Sequence, residues 1–168
     1  MKLTRHLAVG LVVLAIGATA ALSYFAGRVD VAPDAAFTRL DGSATRISQL
    51  QGKVVLVNFW ATTCTVCVKE MPQLVATHQK FNARGFETLA VAMSYDPPSA
   101  VVNFTESRRL PFTVVIDNTG SVARSFGDVK LTPTTVLINK RGEIVKRYVG
   151  EPDFAAMNQL IDALLAET

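Results

Sequence analysis

Apolar residues fall into two kinds of run along this chain. The first is the long stretch Leu7 to Phe25, interrupted only by small or weakly polar residues and preceded by Lys2, Arg5 and His6. At about 1.5 Å per helical residue it spans roughly 28 Å, close to the hydrocarbon core of a bilayer. Residues 1–26 are therefore expected to form an N-terminal signal-anchor, a single transmembrane helix. Its positive flank is retained on the cytoplasmic side, which puts everything after Arg28 beyond the membrane. Ala18-Thr19-Ala20 also fits a signal-peptidase site, so a cleaved leader and a soluble periplasmic protein is the alternative. A buried helix of a soluble domain is the third reading of the same run.

The remaining runs are short and periodic, the signature of a folded α/β domain. Residues 27–36, with Pro33 and Asp34, read as a linker, and residues 37–168 as one domain. Phe37 to Ile47 predicts a hairpin about the two-residue turn Asp41-Gly42, closed by a further turn from Ser48 to Gly52. Lys53 to Phe59 is β-branched and apolar on both faces, which predicts a central strand covered by helices on either side. Met71, Leu74, Val75 and His78 then recur at helical spacing, up to a stop near Gly85, with Pro72 inside the helix. His78 lies on or beside that apolar stripe and reads as structural.

Phe86 to Ser94 predicts a strand, Tyr95 to Pro98 a loop, and Ser99 to Arg109 a helix. Phe112 to Ile116 is a third strand, followed by the turn Asp117 to Gly120 and a short helical turn from Ser121 to Phe126. Leu131 to Thr135 runs into the strand Val136 to Ile138. Lys140-Arg141-Gly142 then turns the chain into a last strand, Glu143 to Tyr148. Phe154, Met157, Leu160, Ile161, Leu164 and Leu165 mark one face of a closing helix.

Composition adds bounds. The 168 residues are 49% hydrophobic and 18% charged, enough for one domain beyond the leader. A net charge of +3, with no basic stretch interleaved with aromatics, gives no sign of a nucleic-acid partner.

The candidate chemistry sits in the segment Phe59 to Met71, which holds both cysteines, Cys64 and Cys67. A C-x-x-C pair reads as a redox dithiol, as half of a zinc site, or as two packing residues. Zinc normally takes four Cys/His ligands, and the only histidines are His6, in the leader, and His78. The redox reading is favoured because the pair follows a buried strand and opens a helix. Unsatisfied N–H groups and the dipole at a helix start favour a thiolate on Cys64. The dipole is worth about 0.3–2 kcal/mol, and a pKa unit about 1.4 kcal/mol. It therefore lowers a thiol pKa by about one unit, and further lowering falls to N–H or S–H donors, Cys67 among them. No cofactor is expected.

Four features together resemble the thioredoxin superfamily, and within it the membrane-anchored TlpA/ResA/CcmG-type oxidoreductases. Val57-Asn58-Phe59-Trp60-Ala61 is similar to the strand that leads into the family's dithiol. Pro72 matches its helix proline, and Thr132-Pro133-Thr134-Thr135 its cis-proline segment. Ser99 to Ile116 matches the helix–strand insertion of this subfamily. The resemblance implies a thioredoxin-like fold with a central mixed β-sheet flanked by helices, an N-terminal hairpin and that insertion. It also implies that Cys64 and Cys67 are catalytic and that Pro133, Thr132, Glu70 and Trp60 support them. Glu70 stands where ResA-like proteins carry a glutamate near the thiols; an exposed first-turn glutamate is the plainer alternative. Departures are Thr63 in place of tryptophan before Cys64, Asn58 in place of thioredoxin's buried acid, and the intervening pair Thr65-Val66.

The implied activity is an extracytoplasmic thiol-disulfide oxidoreductase reducing protein disulfides, of the cytochrome c maturation or copper-site assembly type. The implied partners are apocytochrome c or copper-assembly proteins and a membrane electron donor of the DsbD/CcdA kind. An oxidant or isomerase would use the same residues. A peroxiredoxin-like peroxidase is opposed by Ala61, which stands where that family has threonine. A copper(I) carrier would use two soft thiolates, with no Met or His added near the motif.

Overall fold

The computed structural model describes residues 29–167, so the expected anchor and the first residues of the linker lie outside it. Among the described residues no helix is long and apolar enough to cross a membrane.

The fold is built outward from one strand. Its sequence, Val-Val-Leu-Val-Asn-Phe-Trp, forms β3 (Val54–Trp60), and all of its positions are buried. Alternate side chains of a strand point to opposite faces, and here both faces are apolar. Val54, Leu56 and Trp60 enter one core with Met71, Leu74, Met157 and Ile161. Val55, Val57 and Phe59 enter a second core with Phe37, Phe126 and Val136. Burying each such side chain contributes roughly 1.5–3 kcal/mol, so β3 ties the two layers together.

Around it stand β4 (Phe86–Ala92), β5 (Thr113–Ile116), β6 (Thr134–Ile138) and β7 (Ile144–Val149). The sheet order is β5-β4-β3-β6-β7, with β3, β4 and β5 mutually parallel, β6 antiparallel to β3, and β7 antiparallel to β6. This is the mixed, thioredoxin-like sheet. β7 is an outer strand, and Val145, Lys146 and Arg147 are exposed along it.

The hairpin β1 (Ala36–Thr38) and β2 (Ala44–Arg46) forms a separate small sheet. Its connection differs from the expected two-residue turn. Arg39 and Ser43 still pair, Gly42 N–H donates to Arg39 O at 3.0 Å, and Gly42 takes φ +84°. The loop is therefore the three-residue kind that ends on a left-handed glycine. The end of the linker also packs on the domain. Ala32 N–H donates to Gly142 O, and the Asp34 carboxylate accepts from Arg46 and from Ser48 N–H.

Among the described residues four α-helices complete the fold: α1 (Thr65–Phe81), α2 (Pro98–Arg108), α3 (Ser121–Ser125) and α4 (Phe154–Ala166). α1 runs through Pro72 and closes beyond a short 3-10 turn at Gly85, whose φ of +92° suits a residue without a side chain. α4 starts at Asp153, whose carboxylate accepts from Ala155 and Ala156 N–H, and buries Phe154, Met157, Ile161, Leu164 and Leu165. The helix–strand unit α2–β5 is present, with β5 completing one side of the sheet.

Two substitutions on α4 separate packing from capping. Ile161→Ala, at a fully buried position, is expected to cost about 2–5 kcal/mol. Asp153→Ala is expected to cost about 1 kcal/mol. Urea unfolding of both variants measures the difference.

Candidate active site

The chain leaves β3 at Trp60, turns through residues 61–64, and enters α1 with Cys64 as its N-cap. The turn is closed by Cys64 N–H donating to Ala61 O at 3.1 Å. The two sulfurs form a disulfide. Cys64 Sγ also accepts from Cys67 N–H at 3.2 Å, so an amide of the first helical turn already points at the outer sulfur. The sulfurs differ in access. Cys64 is half-buried, whereas Cys67, one turn into the helix, is 1% exposed.

Glu70 continues that face of α1, since residues three apart on a helix are neighbours. The exposed first-turn alternative is overturned: Glu70 is 0% exposed because its side chain points under the helix toward β3. There Asn58 Nδ2 donates to Glu70 Oε1 at 3.1 Å and to Thr135 Oγ1 at 3.0 Å. Asn58 Oδ1 and Glu70 Oε2 are buried without a partner among the described residues. Burial pushes the Glu70 carboxyl up to about 7, against the lowering effect of the Asn58 amide and with some help from Glu151. At neutral pH this group is therefore poised to take or give a proton.

The Thr132–Pro133 bond is cis. β6 is antiparallel to β3, with Phe59 opposite Thr134. Continuing that register sets Pro133 level with Trp60, where the dithiol turn begins. Pro133 is buried, its carbonyl accepts from Gly150 N–H at 2.8 Å, and Thr132 Oγ1 lies 3.2 Å from Tyr95 Oη. Trp60 is fully buried beneath the turn, with its ring 5.2 Å from that of Phe104 on α2 and its Nε1 without a partner among the described residues. It supports the turn from the core and offers no surface. His78 is structural: buried, with Nδ1 3.1 Å from Thr88 Oγ1 and the ring against Phe112.

Sequence reasoning passed over Asp96, which read only as part of a loop. It is 2% exposed, and its carboxylate accepts from both Thr62 N–H and Thr62 Oγ1 at 2.6 Å. The available signal was its place just after β4: loops at the carboxyl ends of neighbouring parallel strands meet, and β3 and β4 are such a pair.

Two paired sulfurs, one reachable and one sheltered, can exchange electrons with the disulfide or dithiol of a substrate, and the scaffold that presents them is thioredoxin-like. In class the molecule is a thiol-disulfide oxidoreductase. The chain belongs to the Redoxin family, whose model matches residues 28–161. It is 36% identical over 155 residues to the thiol-disulfide oxidoreductase ResA of Geobacillus kaustophilus, covering 89% of this chain and 88% of that one. It is 37% identical over 111 residues to ResA of Halalkalibacterium halodurans, covering 66% of this chain and 62% of the relative. The solution structure of a candidate thioredoxin from Neisseria meningitidis superposes with a TM-score of 0.77 at 40% identity, covering 84% of this chain and 93% of that one. Within the thioredoxin superfamily the chain is thus of the TlpA/ResA/CcmG type.

The raised Glu70 pKa carries a stability consequence. The folded state holds a proton that the unfolded chain releases above its ordinary value of 4.5, so the fold loses stability as pH rises from there toward 7. Glu70→Gln removes that loss. The stability of the variant relative to the parent should rise by about 2–3 kcal/mol between pH 4 and pH 8, measured by urea unfolding of the oxidised protein.

Proposed function

We propose that this protein reduces disulfides in extracytoplasmic proteins, with Cys64 as the attacking sulfur and Cys67 as the resolving one. The observation that carries the proposal is the unequal access of the two sulfurs, Cys64 half-buried at the helix start and Cys67 1% exposed behind it. Only the outer sulfur is reachable by a protein-sized disulfide.

In the reduced protein, the Cys64 thiolate attacks one sulfur of the substrate disulfide. The substrate's other sulfur leaves as a thiolate, and a mixed disulfide joins Cys64 to the substrate. Cys67, as thiolate, then attacks Cys64 Sγ, releasing the second substrate thiolate and closing the Cys64–Cys67 bond. Two electrons pass from the dithiol to the substrate. The start of α1 and the Cys67 N–H favour the first thiolate. Glu70, buried on the same helix face and titrating near neutrality, accepts the proton that Cys67 must lose. Thr132, beside the cis-proline, offers its backbone to an extended segment of the substrate, as the resemblance to this superfamily implies.

The wider setting follows from the N-terminal sequence and the resemblance. Residues 1–26 anchor the chain in the bacterial cytoplasmic membrane, with residues 37–168 on the periplasmic side after the linker. The dithiol is recharged by a membrane electron donor of the DsbD/CcdA kind, and the substrates are apocytochrome c or the cysteines of copper-site assembly proteins. Direction of flow is read from the redox state of Cys64 and Cys67 in cells. Loss of the donor should shift the pair from dithiol to disulfide, and a pair found oxidised whether or not the donor is present would refute a reducing role.

Two variants test the residue roles. Cys67→Ser should accumulate a mixed disulfide with substrate, seen on non-reducing gels, and Cys64→Ser should not. Glu70→Gln should shift the pH–rate profile of the resolving step; an unshifted profile removes Glu70 from the proton path.

A further inference from the structure

The loop between β4 and α2 touches the active site twice. Its base is fixed by Met93 N–H donating to Trp60 O at 2.9 Å and by Asp96 N–H donating to Met93 O at 2.9 Å. From that base Asp96 reaches to one side, where Thr62 takes both of its carboxylate oxygens in short hydrogen bonds. Thr62 lies inside the turn that carries Cys64. Tyr95, the preceding residue, reaches to the other side, with its hydroxyl 3.2 Å from Thr132 Oγ1, and the residue as a whole is 57% exposed. Pro97 and Pro98 follow at once and fix φ as the chain enters α2, so the loop has little freedom to follow one contact without disturbing the other.

We propose that the loop Met93–Pro97 is a clasp that sets the separation between Cys64 and Thr132, with Asp96 and Tyr95 as positioning residues for polypeptide substrates. The proposal rests on the reading of Cys64 as the attacking sulfur and of Thr132 as the place where an extended substrate pairs. A polypeptide disulfide must satisfy both contacts at once, so its reaction depends on the distance between them. A small disulfide needs only the sulfur. The clasp therefore acts on the preference for polypeptide over small disulfides, and a merely structural loop would slow both alike.

The test measures single-turnover reduction, by the full-length reduced protein, of an unstructured peptide carrying one intrachain disulfide and of dithiodipyridine. The readout is the ratio of the two rates. Asp96→Ala and Tyr95→Phe should each lower that ratio by about three- to tenfold, the change that corresponds to the loss of one ordinary hydrogen bond. Asp96→Asn should restore it to within about twofold of the parent, because a carboxamide still offers an oxygen to Thr62 N–H and an N–H to Thr62 Oγ1. Combining Asp96→Ala with Tyr95→Phe should lower the ratio by less than the product of the single effects, as expected for residues acting through one element. A ratio that stays constant while both rates fall, or single effects that multiply in the double variant, overturns the clasp and leaves the dithiol chemistry standing. A parent protein that reduces neither substrate overturns both.

Discussion

The structure depends on β3 being buried on both faces while its last residue gives way directly to the dithiol turn. Seven consecutive buried positions are matched on one side by α1 and α4 and on the other by the hairpin and α3. Movement of β3 would therefore have to break two cores at once. A turn attached to such a strand inherits its fixed position. That is why a cysteine pair with a short backbone loop can be held at a helix start without any staple elsewhere in the described chain.

Helical spacing then grades the chemistry with depth. Cys64 stands at the mouth of α1, Cys67 one turn further and sheltered, Glu70 another turn on and fully buried, and Leu74 in the apolar core. The same helix thus runs from water to hydrocarbon-like surroundings over a few residues. A thiolate is favoured at the top, where amides face outward. A neutral carboxyl is favoured lower down, where desolvation penalises charge. Asn58 belongs to this gradient too. It falls on the α1 face of β3 because it stands two residues from both Leu56 and Trp60 and so shares their face, and its amide is the hydrogen-bond partner that lets a carboxyl group sit there.

Most of the fold was legible in the sequence because periodicity reports which faces are buried. β3, α1, the α2–β5 unit and α4 follow from apolar spacing, and the strand-to-helix position of Cys64 and Cys67 follows from them. The cis bond at Pro133 came from resemblance. Contacts between elements distant in sequence were not legible. The burial of Glu70 requires knowing that residue 70 faces residue 58 across the β3–α1 layer, and an acid near the start of a helix carries no mark of that. Asp96 was hidden for the same reason: a polar residue before two prolines reads as a surface turn until β4 is placed beside β3. The loop of the small hairpin shows the local limit, since Asp-Gly signals a turn without fixing whether two residues or three close it.

Among the described residues the outer strand β7 leaves one side of the sheet open, and its unpaired backbone would welcome another extended chain. Lys146 and Arg147, projecting from the middle of that strand, make such pairing unfavourable, because like charges and bulky cations on a free margin oppose strand addition. Those two cations therefore keep this margin of the sheet from templating a further strand, of this chain or of another.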